Sequence, residues 1–210
     1  MAIRPSSSLT SRKQPIQARS TDLVAAILEA AVQVLAKEGA QRFTAARVAE
    51  KAGVSVGSLY QYFPNKAAIL FRLQSDEWRQ TSELLRGILE DGTRPPLERL
   101  RKLVHAFIRS ECEEAAIRGA LDDAAPLYRN APEAQHVKAS GKEIIRAFMR
   151  AALPVTDDAT CALAGDLIKT TLSAVGKQFS ETPRTPEDIE AYADAMSDMF
   201  CAYLGAIQNR

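Results

Sequence analysis

TAARVAEKAGVSVGSLYQYFPNK, residues 44–66, is the stretch that decides how the whole chain is read. Thr44 is placed to cap a helix, because its hydroxyl can accept from a free N–H of the first turn. Val48, Ala49 and Ala52 give that helix one apolar side. Gly53 closes it, since glycine tolerates the left-handed backbone on which helices end. Ser55 caps a second helix, with Leu59 as its inward anchor, and Pro64 stops it. Helix, glycine turn and helix at this length form a helix-turn-helix pattern, whose second helix enters the major groove of DNA. At 100° per residue, Gly57, Tyr60 and Gln61 point away from Leu59, with Ser58 on the flank. Gly57 lets the backbone approach a base edge or a thymine methyl, and Gln61 suits an adenine edge. Tyr60 and Tyr62 carry hydroxyls suited to phosphate oxygens, or simply pack with the hydroxyl solvated. Lys66 opens the following helix, where free N–H groups and its own charge favour an anion.

Outward from this block, residues 1–19 are rich in Ser, Pro, Arg and Gln and are expected to form a flexible basic arm. Residues 1–66 hold nine Lys and Arg against four acids, a net +5; the whole chain is +1, so the remainder carries −4. A polyanion is drawn to the front of such a chain. Arg12, Lys13 and Arg19 are placed to reach a minor groove. A first long helix precedes the motif, with Leu23, Ile27, Ala31, Val34 and Leu35 at three- and four-residue spacing and Gly39 at its end.

The segment from about Asp22 to Trp78 resembles the N-terminal domain of TetR-type (TetR/AcrR) transcriptional regulators. The leading helix ILEAAVQVLAKEGAQRFT, the block RVAEKAGVSVGSLYQYF and Pro64-Asn65-Lys66 carry the likeness, in order and spacing. The remaining two thirds match that family only in length and all-helical character. The resemblance implies DNA contacts from Thr44, Ala45, Ser55, Val56, Gly57, Ser58, Tyr60, Tyr62 and Lys66. Arg47 departs from the pattern, standing where family members often carry an acid. Two readings of it stand: contact with a phosphate or guanine, or a surface arginine paired with Glu50. Few side chains here offer bidentate bonds to bases, so DNA shape and phosphates are expected to supply much of the affinity.

Downstream, the pattern predicts further helices: one from near Asn65, one from about Leu97 to Arg118, a short or kinked piece over 119–126, and one with Pro132 in its first turn that ends near Leu153. Two more are predicted, one from Thr156 to Phe179 and one opened by Thr185, Pro186 and Asp188. No strand is predicted. The expected fold is all-α: a three-helix DNA-binding head at 20–66 and a six-helix C-terminal domain at 67–210 for ligand binding and dimerisation. The last two helices carry wide apolar stripes, with Leu167, Ile168, Leu172, Val175 and Phe179 on one and Tyr192, Met196, Phe200, Tyr203 and Leu204 on the other. Small residues beside them (Ala164, Gly165, Ala174, Gly176, Ala195) would admit close helices. A homodimeric four-helix bundle is expected, with an intramolecular core as the alternative.

By the resemblance, the intervening helices hold a small-molecule effector. Phe71, Trp78, His105, Phe107, Cys112, Leu127, Tyr128, Phe148 and Met149 are candidate lining residues, each also readable as plain core or, for His105, as a satisfied structural histidine. Glu111, Glu113 and Glu114 read as a solvated face. Cys112, Cys161 and Cys201 lack metal spacing and read as small buried hydrophobes, with a redox sensor as the lesser reading. No metal and no cofactor is expected. No apolar run approaches the ~20 residues that span a bilayer, and the N-terminus has no apolar signal core, so the chain reads as soluble and cytoplasmic. An enzyme is the rival class, but no Gly-x-Ser-x-Gly, HExxH or phosphate-loop motif occurs. A ligand sensor or an activator on the same frame is the other alternative to a repressor that binds a near-palindromic double-stranded operator.

Overall fold

The computed structural model describes residues 18–128 and 143–209, with side chains from residue 20 onward. Arg12, Lys13, the side chain of Arg19, Pro132 and His136 lie outside the described residues. Among those described there are nine α-helices and no strand. They are α1 (Ala18–Arg42), α2 (Ala45–Lys51), α3 (Val56–Tyr62), α4 (Lys66–Leu89), α5 (Pro96–Glu113) and α6 (Ala115–Ala124), then α7 (143–152), α8 (Asp158–Ser180) and α9 (Pro186–Gln208). The chain forms two compact units, Met1–Trp78 with Ala116–Val137, and Arg79–Ala115 with Lys138–Arg210.

In the first unit, α1 presents Ile27, Ala31, Val34 and Leu35 inward, the three–four spacing of a core-facing stripe. The helical run is interrupted at Gly39 (φ 73), where the backbone turns before Phe43 enters the core, fully buried. Thr44 caps α2, its hydroxyl accepting from the N–H of Arg47 at 3.3 Å. Gly53 has φ 67 and no neighbour within 4 Å of the position a Cβ would take, so it is there for the backbone and not for space. Ser55 caps α3, accepting from the N–H of Ser58 at 3.0 Å. Asn65 does the same for α4, accepting from the N–H of Ala68 at 2.8 Å. Leu59, Phe63, Ile69 and Leu70 complete this core, each no more than 1% exposed.

In the second unit, α5 lies against α8 and α9. Leu100, Leu103, Val104, Phe107 and Ile108 face inward. Gly176 of α8 lets the helices close: a Cβ there would stand 3.0 Å from Cε1 of Phe107. Gly165, against Ile145 and Met149, and Gly176 thus admit close helices within the chain. Glu111 continues the buried arc of α5 and is 9% exposed, so it does not belong to a solvated face. It follows Phe107 by four residues and Ile108 by three, a register that carries it inward whatever its charge. α5 also ends earlier than expected, at Glu113, and α6 restarts at Ala115. Neither proline nor glycine marks that break.

The outer edge of the α5–α9 contact is a run of basic side chains meeting acidic ones. Arg101, His105 and Arg109, four residues apart on α5, meet Asp198, Asp194 and Glu190, four residues apart on α9. His105 has one ring nitrogen 3.1 Å from Glu190 and the other 3.1 Å from Asp194. The hydrogen bond from Arg109, and then that of His105, hold the Glu190 carboxyl below its ordinary value. At the helix starts, Asp157 caps α8 through the N–H groups of Ala159 and Thr160, and Thr185 with Asp188 forms a capping box on α9. Burial pushes all three cysteine thiols up, leaving little thiolate at neutral pH. That favours the small-hydrophobe reading.

Two outcomes follow for solution experiments. Gly53→Ala should cost about 1 kcal/mol, because alanine pays for the left-handed backbone, and Gly53→Asn should cost less; denaturant unfolding measures both. For Glu190, a lowered carboxyl pKa contributes stability that is complete above the ordinary glutamate range and is lost as pH falls through the lowered folded value. Wild type should therefore exceed Glu190→Gln in denaturation midpoint at pH 6, and the difference should vanish on acidification.

Candidate DNA interface

α3 has seven residues, and its burial separates two faces. Leu59 is 0% and Tyr62 9% exposed, and both belong to the core of the first unit. Val56, Gly57, Tyr60 and Gln61 are exposed, with Val56 at 38% and Tyr60 at 41%. An exposed valine and tyrosine on so short a helix give a partner apolar and aromatic surface to cover. A Cβ at Gly57 would meet only the Ser55 hydroxyl, at 3.7 Å, so nothing within the protein demands glycine there. What its absence of side chain leaves open is the outward approach to the helix backbone. The Ser55 and Ser58 hydroxyls lie 2.8 Å apart at the helix start. Lys66 is exposed at the first turn of α4.

The residues expected at DNA are therefore not all on one surface. Thr44, Ser55, Val56, Gly57, Tyr60, Gln61 and Lys66 are exposed, and Ser58 is half-buried. Ala45 is buried and packs in the core. The tyrosine pair splits: Tyr60 faces out, whereas the Tyr62 ring is part of the core. Arg47 does not pair with Glu50. Its guanidinium donates to the Glu38 carboxylate and, at 3.0 Å, to the Arg42 carbonyl. Glu38 stands nine residues earlier on a different helix, and no local sequence signal links the two.

The effector candidates divide between the units. Phe71, Trp78, Leu127 and Tyr128 belong to the first, where the Phe71 and Tyr128 rings are 5.9 Å apart and the Tyr128 hydroxyl lies 2.9 Å from the Leu121 carbonyl and 3.1 Å from Gln74. Leu127 is 47% exposed. His105, Phe107, Cys112, Phe148 and Met149 belong to the second. There His105 is held by its two carboxylates, which is the satisfied structural histidine. Phe148 lies under the Arg99 guanidinium, 5.5 Å from its ring centre.

The dimer candidates are mostly interior. Ile168, Leu172, Phe179, Met196, Phe200 and Leu204 are buried in the core of their own unit, and Val175, Tyr192 and Tyr203 are half-buried. The Phe179 and Tyr192 rings stack at 3.9 Å. The apolar arcs of α8 and α9 are wide, and their inner parts are used against α5. Their outer parts remain exposed: Leu163 (66%), Leu167 (48%) and Ala174 on α8, and Ala195, Met199 (51%) and Ala202 on α9. Leu163 and Met199 were readable as the flanks of those arcs, at positions four residues from Leu167 and Ala195.

Helices throughout and a capped helix-turn-helix with an exposed face on α3 are the frame of a helix-turn-helix protein with a helical C-terminal region. The chain belongs to the tetR family of bacterial regulatory proteins, which it matches over residues 27–73; residues 95–207 match the tetracyclin repressor-like C-terminal domain. Among curated proteins, it is 32% identical over 125 residues to the HTH-type transcriptional repressor KstR of Rhodococcus jostii, covering 60% of this chain and 57% of that protein. It is 31% identical over 105 residues to the nucleoid occlusion factor SlmA of Vibrio campbellii, covering 50% and 53%. The match thus spans little more than half the length of these relatives. Among solved structures, a TetR-family regulator from Mesorhizobium loti superimposes with a TM-score of 0.69 at 18% identity, over 89% of this chain and 98% of that one. PfmR, a TetR-family transcriptional regulator from Thermus thermophilus, gives 0.67 at 22%, over 84% and 97%. At these identities the structures speak for the fold. No helix among the described residues is long and apolar enough to cross a membrane.

Proposed function

We propose that this chain is a transcriptional repressor that binds a near-palindromic duplex operator as a homodimer in the cytoplasm, is released by a small apolar or amphipathic effector, and has no enzymatic activity. The observation that carries the reading is the outward face of α3. Val56, Gly57, Tyr60 and Gln61 stand on a helix fixed from behind by Leu59 and Tyr62, with Lys66 beside them. Gly57 allows close approach, Gln61 reads an adenine edge, and Tyr60 and Lys66 hold phosphates. Arg12, Lys13 and Arg19 add positive charge ahead of the head.

The exposed apolar side chains Leu163 and Leu167 on α8 and Met199 on α9 support the homodimer. Apolar side chains exposed on two long helices are suited to meet a twofold copy of themselves in a four-helix bundle. Two copies of α3 then read half-sites ~34 Å apart, or a multiple of it. The effector acts by preferring a dimer whose reading helices no longer fit successive grooves. Repression, in preference to activation, is supported by the name of the KstR relative.

Selection from a random duplex library at low ionic strength tests the reading. A bound, inverted-repeat sequence is expected; a folded protein that retains no duplex would reject it. On the selected site, Lys66→Ala should weaken all sequences alike and flatten the salt dependence by about 0.9 log units per log salt. Leu167→Asp combined with Met199→Asp should convert the dimer to a monomer in sedimentation velocity while leaving helical content unchanged. A persisting dimer would place the twofold contact elsewhere.

A further inference from the structure

We infer that Arg47 is a positioning residue that fixes α2 against α1, and through α2 the reading helix, instead of touching DNA itself. The inference rests on the DNA-binding function proposed above and deepens it. Arg47 is engaged at both ends. Its backbone N–H donates to the Thr44 hydroxyl at 3.3 Å, within the cap of α2. Its Nη1 donates to the Glu38 carboxylate, before the Gly39 break in α1, and, at 3.0 Å, to the Arg42 carbonyl after it. The second bond satisfies a carbonyl at the end of α1, where helical partners run out.

The location gives these bonds their leverage. Between Glu38 and Arg47 the chain leaves helical geometry at Gly39 (φ 73), so continuous helix does not set the angle of α2. Burial of Phe43, Val48 and Ala49 seats α2 in the core, but non-directional apolar contact restrains small rotations less than a directional bond does. The planar guanidinium, bonded to a carboxylate and a carbonyl, is directional and supplies that restraint. α3 follows α2 after one glycine turn, so a rotation of α2 moves the exposed face of α3. The same contact withdraws Arg47 from phosphate: its side chain is 38% exposed, and its charge is already met by a carboxylate whose own side chain is 25% exposed.

The test uses the full-length protein and a duplex obtained by selection, with affinities measured by fluorescence anisotropy across a salt series. Glu38→Ala and Arg47→Ala should each weaken binding about fivefold, the scale of a partly exposed ion pair. Both should leave the salt slope unchanged. The double variant should bind no more weakly than Arg47→Ala alone, because Arg47→Ala already removes the contact that Glu38→Ala removes. Arg47→Lys keeps the charge and perturbs folding least; it too should weaken binding, since Nη1 makes both bonds and the shorter lysine stem ends one bond before that position. The proposal is overturned if Arg47→Ala flattens the salt slope by about 0.9 while Glu38→Ala binds as well as wild type or better. It is equally overturned if Arg47→Lys binds as wild type does. Wild-type protein that retains no duplex at all rejects the DNA-binding reading itself, so the two failures are separable.

Discussion

Everything at the front of this molecule depends on burying one face of a helix too short to stand alone. Seven residues make fewer than two turns beyond the nucleus, and an isolated helix of that length is not stable in water. α3 persists because Leu59 and Tyr62 are locked into the core built by α1, α2 and the start of α4. Ser55 at one end and the turn at Phe63-Pro64 at the other limit it to that length. The geometry of the outward residues is therefore a property of the core, and the three caps at Thr44, Ser55 and Asn65 set where each helix begins.

The second unit obeys a different constraint, the sharing of wide apolar arcs. α8 and α9 each carry more apolar surface than one neighbour can cover. α5 and α7 take the inner part, reaching closely at Gly176 and Gly165, and ion pairs from Arg101–Asp198 to Arg109–Glu190 line the edge. The remaining strip holds Leu163, Leu167 and Met199.

Much of this was legible in the sequence, and the reason is locality. Caps, glycine turns and three–four spacing act over a few residues, so Thr44, Gly53, Ser55 and Thr185 announced their helices correctly, and the faces of Leu59 and Gly57 followed from the helical angle. What was not legible depends on distant partners. Glu38 and Arg47 are nine residues and a backbone break apart, and His105 finds Glu190 and Asp194 more than eighty residues away. The stripes on α8 and α9 were recognised, but periodicity gives a direction and not a partner. It could not divide each arc into buried and exposed parts, so it gave no sign that Phe200 and Leu204 are interior while Leu163 is not. Glu111 was misplaced for a related reason: its charge argued for solvent, and its register carried it inward. The break at Glu114 has no residue signature at all.

The alternation along α3 has an evolutionary consequence. Residues that hold the helix (Leu59, Tyr62) and residues that face outward (Val56, Gly57, Tyr60, Gln61) occupy interleaved but non-overlapping positions. Exchange at the outward positions leaves the packing of the head almost untouched. A duplicated gene on this scaffold can thus drift toward a new target without first passing through an unfolded ancestor, and descendants of one such head can diverge in what they read long before they diverge in shape.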